Sequence, residues 1–289
     1  MCYGKPDIGY ENCSNMVRER VGSVMALWRY PVKSMLGESL QAVNVTERGL
    51  LGDRGYALWD VQTSRIASAK NPKKWAKLLD FHAAYVEPPR LNQPLPAVQV
   101  KLPNGDAIAS VSPDIHTMLS TVLEREVQLL SDVPDTPSLD QYWPPVEGTA
   151  HQDALTQLFM PAGTFFDSCP IHAITTATLA QLQELYPDGQ FAPSRFRPNV
   201  LIQPTSDAPG FVEDAWVGRG LQIGEARLHI ATACPRCVVT TLAQQGLPND
   251  LNILKTTAAH NNVIAGIRLT VVQPGVICEG DAVWLEAAA

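Results

Sequence analysis

The chain has 289 residues, of which 45% are hydrophobic, and carries a formal net charge of −7 and six cysteines. This length is enough for one large or two ordinary domains with full cores. The acidic balance argues against a general nucleic-acid-binding surface, and the lack of an apolar run of about 18 residues argues against a membrane span. So few cysteines do not form a disulfide framework, and we expect a protein of the reducing cytoplasm.

The first half of the chain is predicted to consist mainly of strands. Residues 1–22 lack the continuous apolar core of a secretory signal, so we expect a disordered leader in which Met16 is an alternative start. A first domain is predicted over residues 23–135. Its strands are predicted at residues 24–29, 40–46, 56–61, 64–68, 97–102 and 127–130, and its helices at 71–79 and from Asp114 to about Arg125.

The second half shows the same short strand spacing. Residues 136–150 are rich in proline and aspartate, which predicts a linker before a second domain over 151–286. Its strands are predicted at 171–174, 200–202, 221–224, 226–231, 267–272 and 277–285, its helices at 152–159 and from Thr175 or Thr176 to Leu185, and a mobile segment at 244–262. Because strands outnumber helices, we predict an α+β fold that is mainly β, barrel-like or sandwich-like, with packed helices.

Two cysteines, Cys234 and Cys237, enclose Pro235 and Arg236. Structural zinc commonly needs a second such pair, and a thioredoxin-type motif opens a helix, whereas the β-branched run 238–241 predicts extended chain. Two small buried hydrophobic residues are the plain alternative. Arg236 favours a functional cysteine, because a neighbouring cation stabilises the thiolate that binds metals. Both interpretations stay open at this point.

Cations occur beside proline or glycine turns that flank predicted strands. These cations are Lys33, Arg54, Arg197 and Arg236. Any one of them alone is most simply a solvated surface charge, but four at like positions in an acidic chain fit an anionic ligand such as a phosphate. Ser34 and Asn199 are suited to add neutral hydrogen bonds. His172 falls within a predicted strand, and we interpret it as a core or barrel residue.

These pieces together resemble the MOSC-domain family of molybdenum-cofactor proteins, and within it the YcbX-type and mitochondrial amidoxime reducing component-type members. The matching pieces, in chain order, are Tyr30-Pro31-Val32-Lys33-Ser34, Gly52-Asp53-Arg54, Phe196-Arg197-Pro198-Asn199, Cys234-Pro235-Arg236-Cys237 and the closing Pro274-Gly275 with Gly280-Asp281. The resemblance covers about residues 24–286. It implies an N-terminal MOSC β-barrel domain followed by a MOSC β-barrel domain with packed helices.

The resemblance also implies a pyranopterin molybdenum cofactor bound between the two domains. Cys237 would be the molybdenum ligand and the catalytic residue. The cofactor-binding residues would be Lys33, Ser34, Arg54, Ser168, Cys169, Arg197, Asn199 and Arg236. Cys169 replaces a hydroxyl residue of the reducing-component relatives, and Arg268 falls where those relatives carry a tyrosine. Pyridoxal phosphate binding is a further family-level expectation.

Two functions follow from this resemblance. The first is an oxidoreductase that reduces N-hydroxylated small molecules with electrons from separate electron-transfer proteins, since no cysteines are left over for an iron–sulfur cluster. The second is a molybdenum cofactor carrier or sulfur-handling protein without turnover. A binding module without metal is the remaining alternative. None of them calls for nucleic acid or a membrane.

Overall fold

The computed structural model describes residues 18–149, 151–206, 209–244 and 246–287, and strands dominate them. The strands are β1 Arg18–Arg29, β2 Glu38–Leu40, β3 Ala42–Thr46, β4 Gly49–Leu50, β5 Ala57–Asp60, β6 Arg65–Ile66, β7 His82–Tyr85, β8 Val98–Lys101, β9 Ala107–Ala109, β10 Val127–Leu130, β11 Ser138–Trp143, β12 Ala154–Phe159, β13 Ile171–Thr175, β14 Val200–Pro204, β15 Gly220–Ile223, β16 Ala226–Pro235, β17 Ile264–Gln273, β18 Gly275–Cys278 and β19 Ala282–Glu286. The helices are α1 Pro72–Trp75, α2 Ile115–Leu123, α3 Thr176–Leu185, α4 Pro193–Phe196 and α5 Asn252–Asn261, with 3₁₀ helices at Ala76–Asp80, Val212–Trp216 and Val238–Thr241. This composition confirms the mainly β prediction.

Seven strands close into a barrel. They follow one another in the order β14-β13-β17-β16-β15-β19-β1, and β1 pairs back onto β14 to complete the ring. The interior is apolar, and Leu221, Leu228, Ile230 and Leu269 are fully buried in it. Closure leaves no unpaired strand edge within the ring, so the barrel is a rigid frame.

The strand β1 joins the two halves of the chain. It belongs to the first half by sequence, yet it pairs with β14 and β19 of the second half, and β3 pairs with β18. The two predicted domains therefore share strand pairing and are not separate in space. The first half also builds a core of its own, in which Leu78, Phe81 and Leu119 are fully buried between α2 and two three-stranded sheets.

Two predicted boundaries differ from the structure. Residues 18–22, predicted as leader, lie in β1, because they pair with β14 and β19; residues 1–17, including Met16, lie outside the described residues. The predicted linker 136–150 contains β11, which pairs with β12.

The prediction of a helix at 152–159 is wrong. This segment forms β12, and its side chains alternate in exposure as those of a strand do. Pairing with β11 outweighs the local helical pattern.

Two further predictions in the second half are wrong. Residues 238–241 form a 3₁₀ helix instead of extended chain, because the hydroxyls of Thr240 and Thr241 donate to the carbonyl oxygens of Cys237 and Val238 and stabilise a turn. The segment predicted to be mobile contains α5, which buries Ile253. The helix predicted from Thr175 is confirmed, and the Thr175 side chain caps α3 by accepting from the Thr178 amide at 3.1 Å.

The helices of the described segments are short. None of them is long and apolar enough to cross a bilayer.

Candidate functional site

A cavity of about 150 Å³ lies where the end of the barrel meets the first half of the chain. All the residues predicted for the site line it, namely Lys33, Ser34, Arg54, Ser168, Cys169, Arg197, Asn199, Arg236 and Cys237. The structure therefore brings together side chains that lie more than 200 positions apart in the sequence. Their roles toward a ligand stay predictions.

The backbone holds three of these residues in an uncommon conformation. Ser34, Arg54 and Arg197 have φ angles of 65°, 49° and 53°, in the left-handed region that residues other than glycine seldom adopt. Such conformations persist only where surrounding contacts maintain them, and they cluster at functional sites. Ser34 and Arg54 lie within turns and Arg197 is the C-cap of α4, which explains why short turn motifs identified them in the sequence.

Two of the arginines pack on one buried tyrosine. The guanidinium carbons of Arg197 and Arg54 lie 4.3 and 4.5 Å from the ring centroid of Tyr30. Burial raises the pKa of Tyr30 to about 12, so the ring stays a neutral phenol. Burial also lowers the pKa of Arg197 to about 10, and its Nη1 is buried without a hydrogen-bond partner among the described residues. A charged donor that is buried and unpaired calls for an anionic ligand.

A carboxylate that the sequence reasoning did not select binds two lysines. The Lys33 ammonium donates to Asp167 Oδ1 at 2.5 Å and to the Phe165 carbonyl oxygen at 2.7 Å, and Lys70 lies 3.4 Å from Asp167 Oδ2. Burial lowers the pKa of Lys33, and Asp167 opposes that shift. Burial alone would raise the pKa of Asp167, but the two ammonium groups hold it well below its usual range. The position of Asp167 directly before Ser168 was the only sequence signal.

The cation of the cysteine motif contacts Cys234. Arg236 Nη1 donates to Cys234 Sγ at 3.0 Å and lies 3.2 Å from His172 Nε2, while Nη2 donates to the Phe196 carbonyl oxygen at 2.6 Å. Burial alone would raise the pKa of Cys234, but Arg236 and His172 hold it well below its ordinary value. His172 is buried in the barrel as interpreted, and it also lines the cavity.

Cys237 directly precedes the 3₁₀ helix 238–241, and hydrogen bonds hold its backbone in place. Its carbonyl oxygen accepts from Thr240 N at 3.1 Å and from Thr240 Oγ1 at 3.0 Å. Arg195, which is fully buried, donates to the carbonyl oxygens of Thr240 and Leu242 at 3.2 Å each. Sequence reasoning missed Arg195, a positioning residue that holds the chain behind Cys237.

The neutral side chains of the site already form some hydrogen bonds within the protein. Asn199 Oδ1 accepts from the His172 amide at 3.1 Å, so this side chain ties β13 in place and keeps one free N–H. Ser34 Oγ accepts from the Ala69 amide at 3.1 Å. Burial raises the pKa of Cys169 to about 11, so this thiol stays protonated, in contrast to Cys234.

The lining of the cavity is strongly cationic and suits an anionic ligand. Six cationic side chains line the cavity against one carboxylate, Asp167. The Nη1 of Arg197 and the Nε of Arg236 are buried without hydrogen-bond partners among the described residues. Within the same residues, no three His, Cys, Asp or Glu side chains come together as a metal-binding group. The unpaired guanidinium nitrogens therefore suit a ligand that brings its own acceptor atoms.

Fold and site together define a barrel protein with a cation-lined cavity that includes a cysteine motif. A MOSC domain model matches residues 162–284, and a MOSC N-terminal beta barrel domain model matches residues 21–92. The chain belongs to the MOSC-domain family, as the sequence resemblance predicted.

Curated relatives agree with this assignment. Mitochondrial amidoxime-reducing component 1 of Homo sapiens is 24% identical over 302 residues, covering 92% of this chain and 84% of that protein. Mitochondrial amidoxime reducing component 2 of Rattus norvegicus is 25% identical over 250 residues, covering 78% and 68%. A crystal structure of the YUAD protein from Bacillus subtilis is 11% identical, with a TM-score of 0.50, and covers 94% of this chain and 99% of that one. The last likeness concerns the fold alone.

Proposed function

We propose that this protein binds a molybdenum cofactor in the cavity and reduces N-hydroxylated compounds with electrons from separate redox proteins. The observation that carries the proposal is the combination of Cys237 with buried, unpaired guanidinium nitrogens in one cation-lined cavity. The names of the mitochondrial relatives, amidoxime-reducing components, support a reductive role at the level of the family.

Each side chain has a distinct part in this proposal. Cys237 offers the thiolate for the metal, while Arg54, Arg197, Arg236 and Lys33 neutralise the phosphate and other anionic groups of the pterin. Ser34, Ser168, Cys169 and Asn199 add neutral hydrogen bonds. The cofactor, when bound, supplies two-electron redox chemistry, and the protein supplies binding, orientation and electrostatics.

The proposed reaction balances without any further co-reactant. The N–O bond of the N-hydroxylated substrate breaks, two electrons from the redox partner and two protons enter, and the products are the N–H compound and water. The chain itself contributes the cationic surroundings that hold an electron-rich ligand and keep it oriented.

A specific observation favours a second function, that of a cofactor carrier or sulfur-handling protein without turnover. Cys234 lines the same cavity, and its pKa is held well below its ordinary value by Arg236 and His172 against the effect of burial. A thiolate is the form of cysteine that attacks or carries sulfur. This function shares the cofactor with the first and differs in lacking reduction of substrate.

The test is molybdenum per chain by elemental mass spectrometry on protein from a host that makes the cofactor. Wild type and Cys237→Ala are compared, with Cys278→Ala as the control cysteine, which does not line the cavity. We expect close to one molybdenum in wild type and control, and almost none in Cys237→Ala. Full occupancy in Cys237→Ala would contradict the ligand assignment, and none in folded wild type would contradict the cofactor itself. Loaded wild type is then supplied with a reduced viologen dye and N-hydroxybenzamidine, where absence of turnover favours the carrier.

A further inference from the structure

A second cavity of about 460 Å³ adjoins the first and shares Cys237, Arg236 and Arg268 with it. We call it the side chamber. Its remaining wall includes Gln141, Trp143, Leu158 and Val263. The two cavities meet at the cysteine that we propose as the metal ligand, so a molecule in the side chamber would lie next to that centre.

The outer wall of the side chamber comes from the hairpin of β11 and β12. This hairpin lies between the two family models, which end at residue 92 and resume at residue 162. The residues proposed to bind the cofactor thus lie within the two models, whereas this outer wall lies outside both of them. Specificity for a substrate is expected in such a wall. The residues within the family models are expected to be constrained by a cofactor that the family shares.

Trp143 gives this wall a fixed aromatic surface. Its Nε1 donates to Thr156 Oγ1 at 2.8 Å, and its ring lies edge-on to His151 at 5.1 Å between centroids. A ring held in this way loses little conformational entropy when a ligand packs on it. With Leu158 it offers a surface suited to a planar, apolar body.

Val263 secures the opposite wall. It has a φ of 67°, an outlier for a β-branched residue, and its carbonyl oxygen accepts from the Arg236 amide at 2.7 Å. This bond ties the end of α5 to the cysteine motif. The apolar wall and Cys237 are therefore held by one connected backbone.

Arg268 places a positive charge in the side chamber that forms no ion pair with a carboxylate among the described residues. Its guanidinium makes no hydrogen bond or ion pair to any described residue, although it is half-buried. The one carboxylate that lines the chamber, Asp167, is already bound by Lys33 and Lys70. A half-buried guanidinium without a partner is suited to a carboxylate ligand, which it can bind with two parallel hydrogen bonds.

We propose that the side chamber is the substrate site, and that it selects planar N-hydroxylated compounds carrying a carboxylate, with Trp143 against the plane and Arg268 on the carboxylate. This inference rests on the proposed function for the reduction of the substrate but not for the binding of the substrate. The competing assignment is that Arg268 binds the cofactor, and the experiment separates the two.

The experiment measures equilibrium binding by calorimetry to molybdenum-loaded protein. The probes are N-hydroxybenzamidine and its 4-carboxylate. The variants are Arg268→Gln, Arg268→Lys, Trp143→Ala and Trp143→Phe. The controls are Arg90→Gln, an exposed arginine outside both cavities, and Leu155→Ala, on the same hairpin but 54% exposed and outside the chamber. Molybdenum content is determined for every variant.

Arg268→Gln should lower the affinity for the carboxylated probe by about tenfold or more, because it removes a charge-assisted contact. The affinity for the neutral probe should fall by less than about twofold. Arg268→Lys should recover part of that loss. Trp143→Ala should weaken both aromatic probes by roughly tenfold, and Trp143→Phe should recover most of the binding. The controls should match wild type.

Three results would overturn the inference. Equal losses for both probes in Arg268→Gln would show that the charge does not select the carboxylate. Loss of molybdenum in Arg268→Gln or Trp143→Ala would assign the chamber to the cofactor, and unchanged binding in both variants would remove it as a site. If wild type binds the probes in the expected pattern but does not reduce them, the proposed reaction fails while the substrate-site geometry stands.

Discussion

The barrel interior and the cavity at its end are built by the same strands but follow opposite physical rules. Strands β13, β16 and β17 place Ile171, Leu228 and Leu269 in the interior, where they are fully buried among apolar neighbours. The same β13 and β17 place His172 and Arg268 directly opposite each other at the cavity. The interior is apolar throughout, whereas the cavity retains buried guanidinium nitrogens without hydrogen-bond partners among the described residues.

Two neighbouring arginines show the same difference. Arg195 is fully buried and donates to four backbone carbonyl oxygens, including that of Pro248 at 2.8 Å. Arg197 donates to the Met35 carbonyl oxygen at 2.8 Å and keeps a buried Nη1 without a partner among the described residues. A satisfied buried cation supports the fold, and an unsatisfied one indicates a binding site.

The largest effect on stability is expected in the barrel interior. Leu228→Ala should lower the free energy of unfolding by about 2–5 kcal/mol, because it removes transfer energy and leaves a cavity. Urea denaturation measures the change, with exposed Val272→Ala, 56% accessible, as the control near zero. Molybdenum content of the folded variant should stay that of wild type. A joint loss of stability and molybdenum would mean that the two regions are not independent.

The reverse pattern is expected for Arg197→Ala. It should weaken cofactor retention by about 1.5–3 kcal/mol, since a charge-assisted contact is lost, with little loss of unfolding free energy in the cofactor-free protein. Molybdenum retained after dialysis measures the effect, and Arg90→Ala serves as the exposed control. Molybdenum retention equal to that of wild type would show that Arg197, like Arg195, has only a structural role.

Asp167→Asn tests an ion pair of the cavity that is also expected to contribute to stability. It leaves the buried Lys33 ammonium without its carboxylate, so the free energy of unfolding should fall by about 1–3 kcal/mol, less than for a fully buried pair because the Asp167 side chain is 39% accessible. Glu124→Gln breaks the exposed Lys77 pair and should leave the free energy of unfolding nearly unchanged, because water screens an exposed ion pair. Equal losses in the two variants, measured by denaturation, would contradict a special role for Asp167.

The pH dependence of stability tests whether Cys234 of the cavity is a thiolate in the folded protein. Its folded pKa lies well below the ordinary value of 9.0, so its thiolate contributes stability that is complete above pH 9.0 and is lost as the pH falls toward the folded pKa. In cofactor-free protein, the stability of wild type relative to Cys234→Ser should therefore increase from pH 7 to 9, by at most about 1.4 kcal/mol per unit. A flat difference across this range would show that Cys234 is protonated in the folded protein.

The fold class was predictable because it follows from local sequence patterns. Short strand spacing and the Thr175 cap of α3 are local features, and both are confirmed. The helix predicted at 152–159 failed because β12 is defined by its pairing with β11 rather than by its own pattern. The strand predicted at 238–241 failed because the hydroxyls of Thr240 and Thr241 bond to the preceding turn.

The family and the cavity residues that lie in turns could be identified without a structure, because glycine and proline turns place a cation, a hydroxyl or a thiol at a definite local position. The closure of the barrel by β1, the binding of Asp167 to Lys33 and the position of Arg236 beside His172 could be seen only in the folded protein. These contacts join residues through strand register and side-chain direction. Neither quantity is encoded by local propensity, since each depends on which distant strand a segment pairs with.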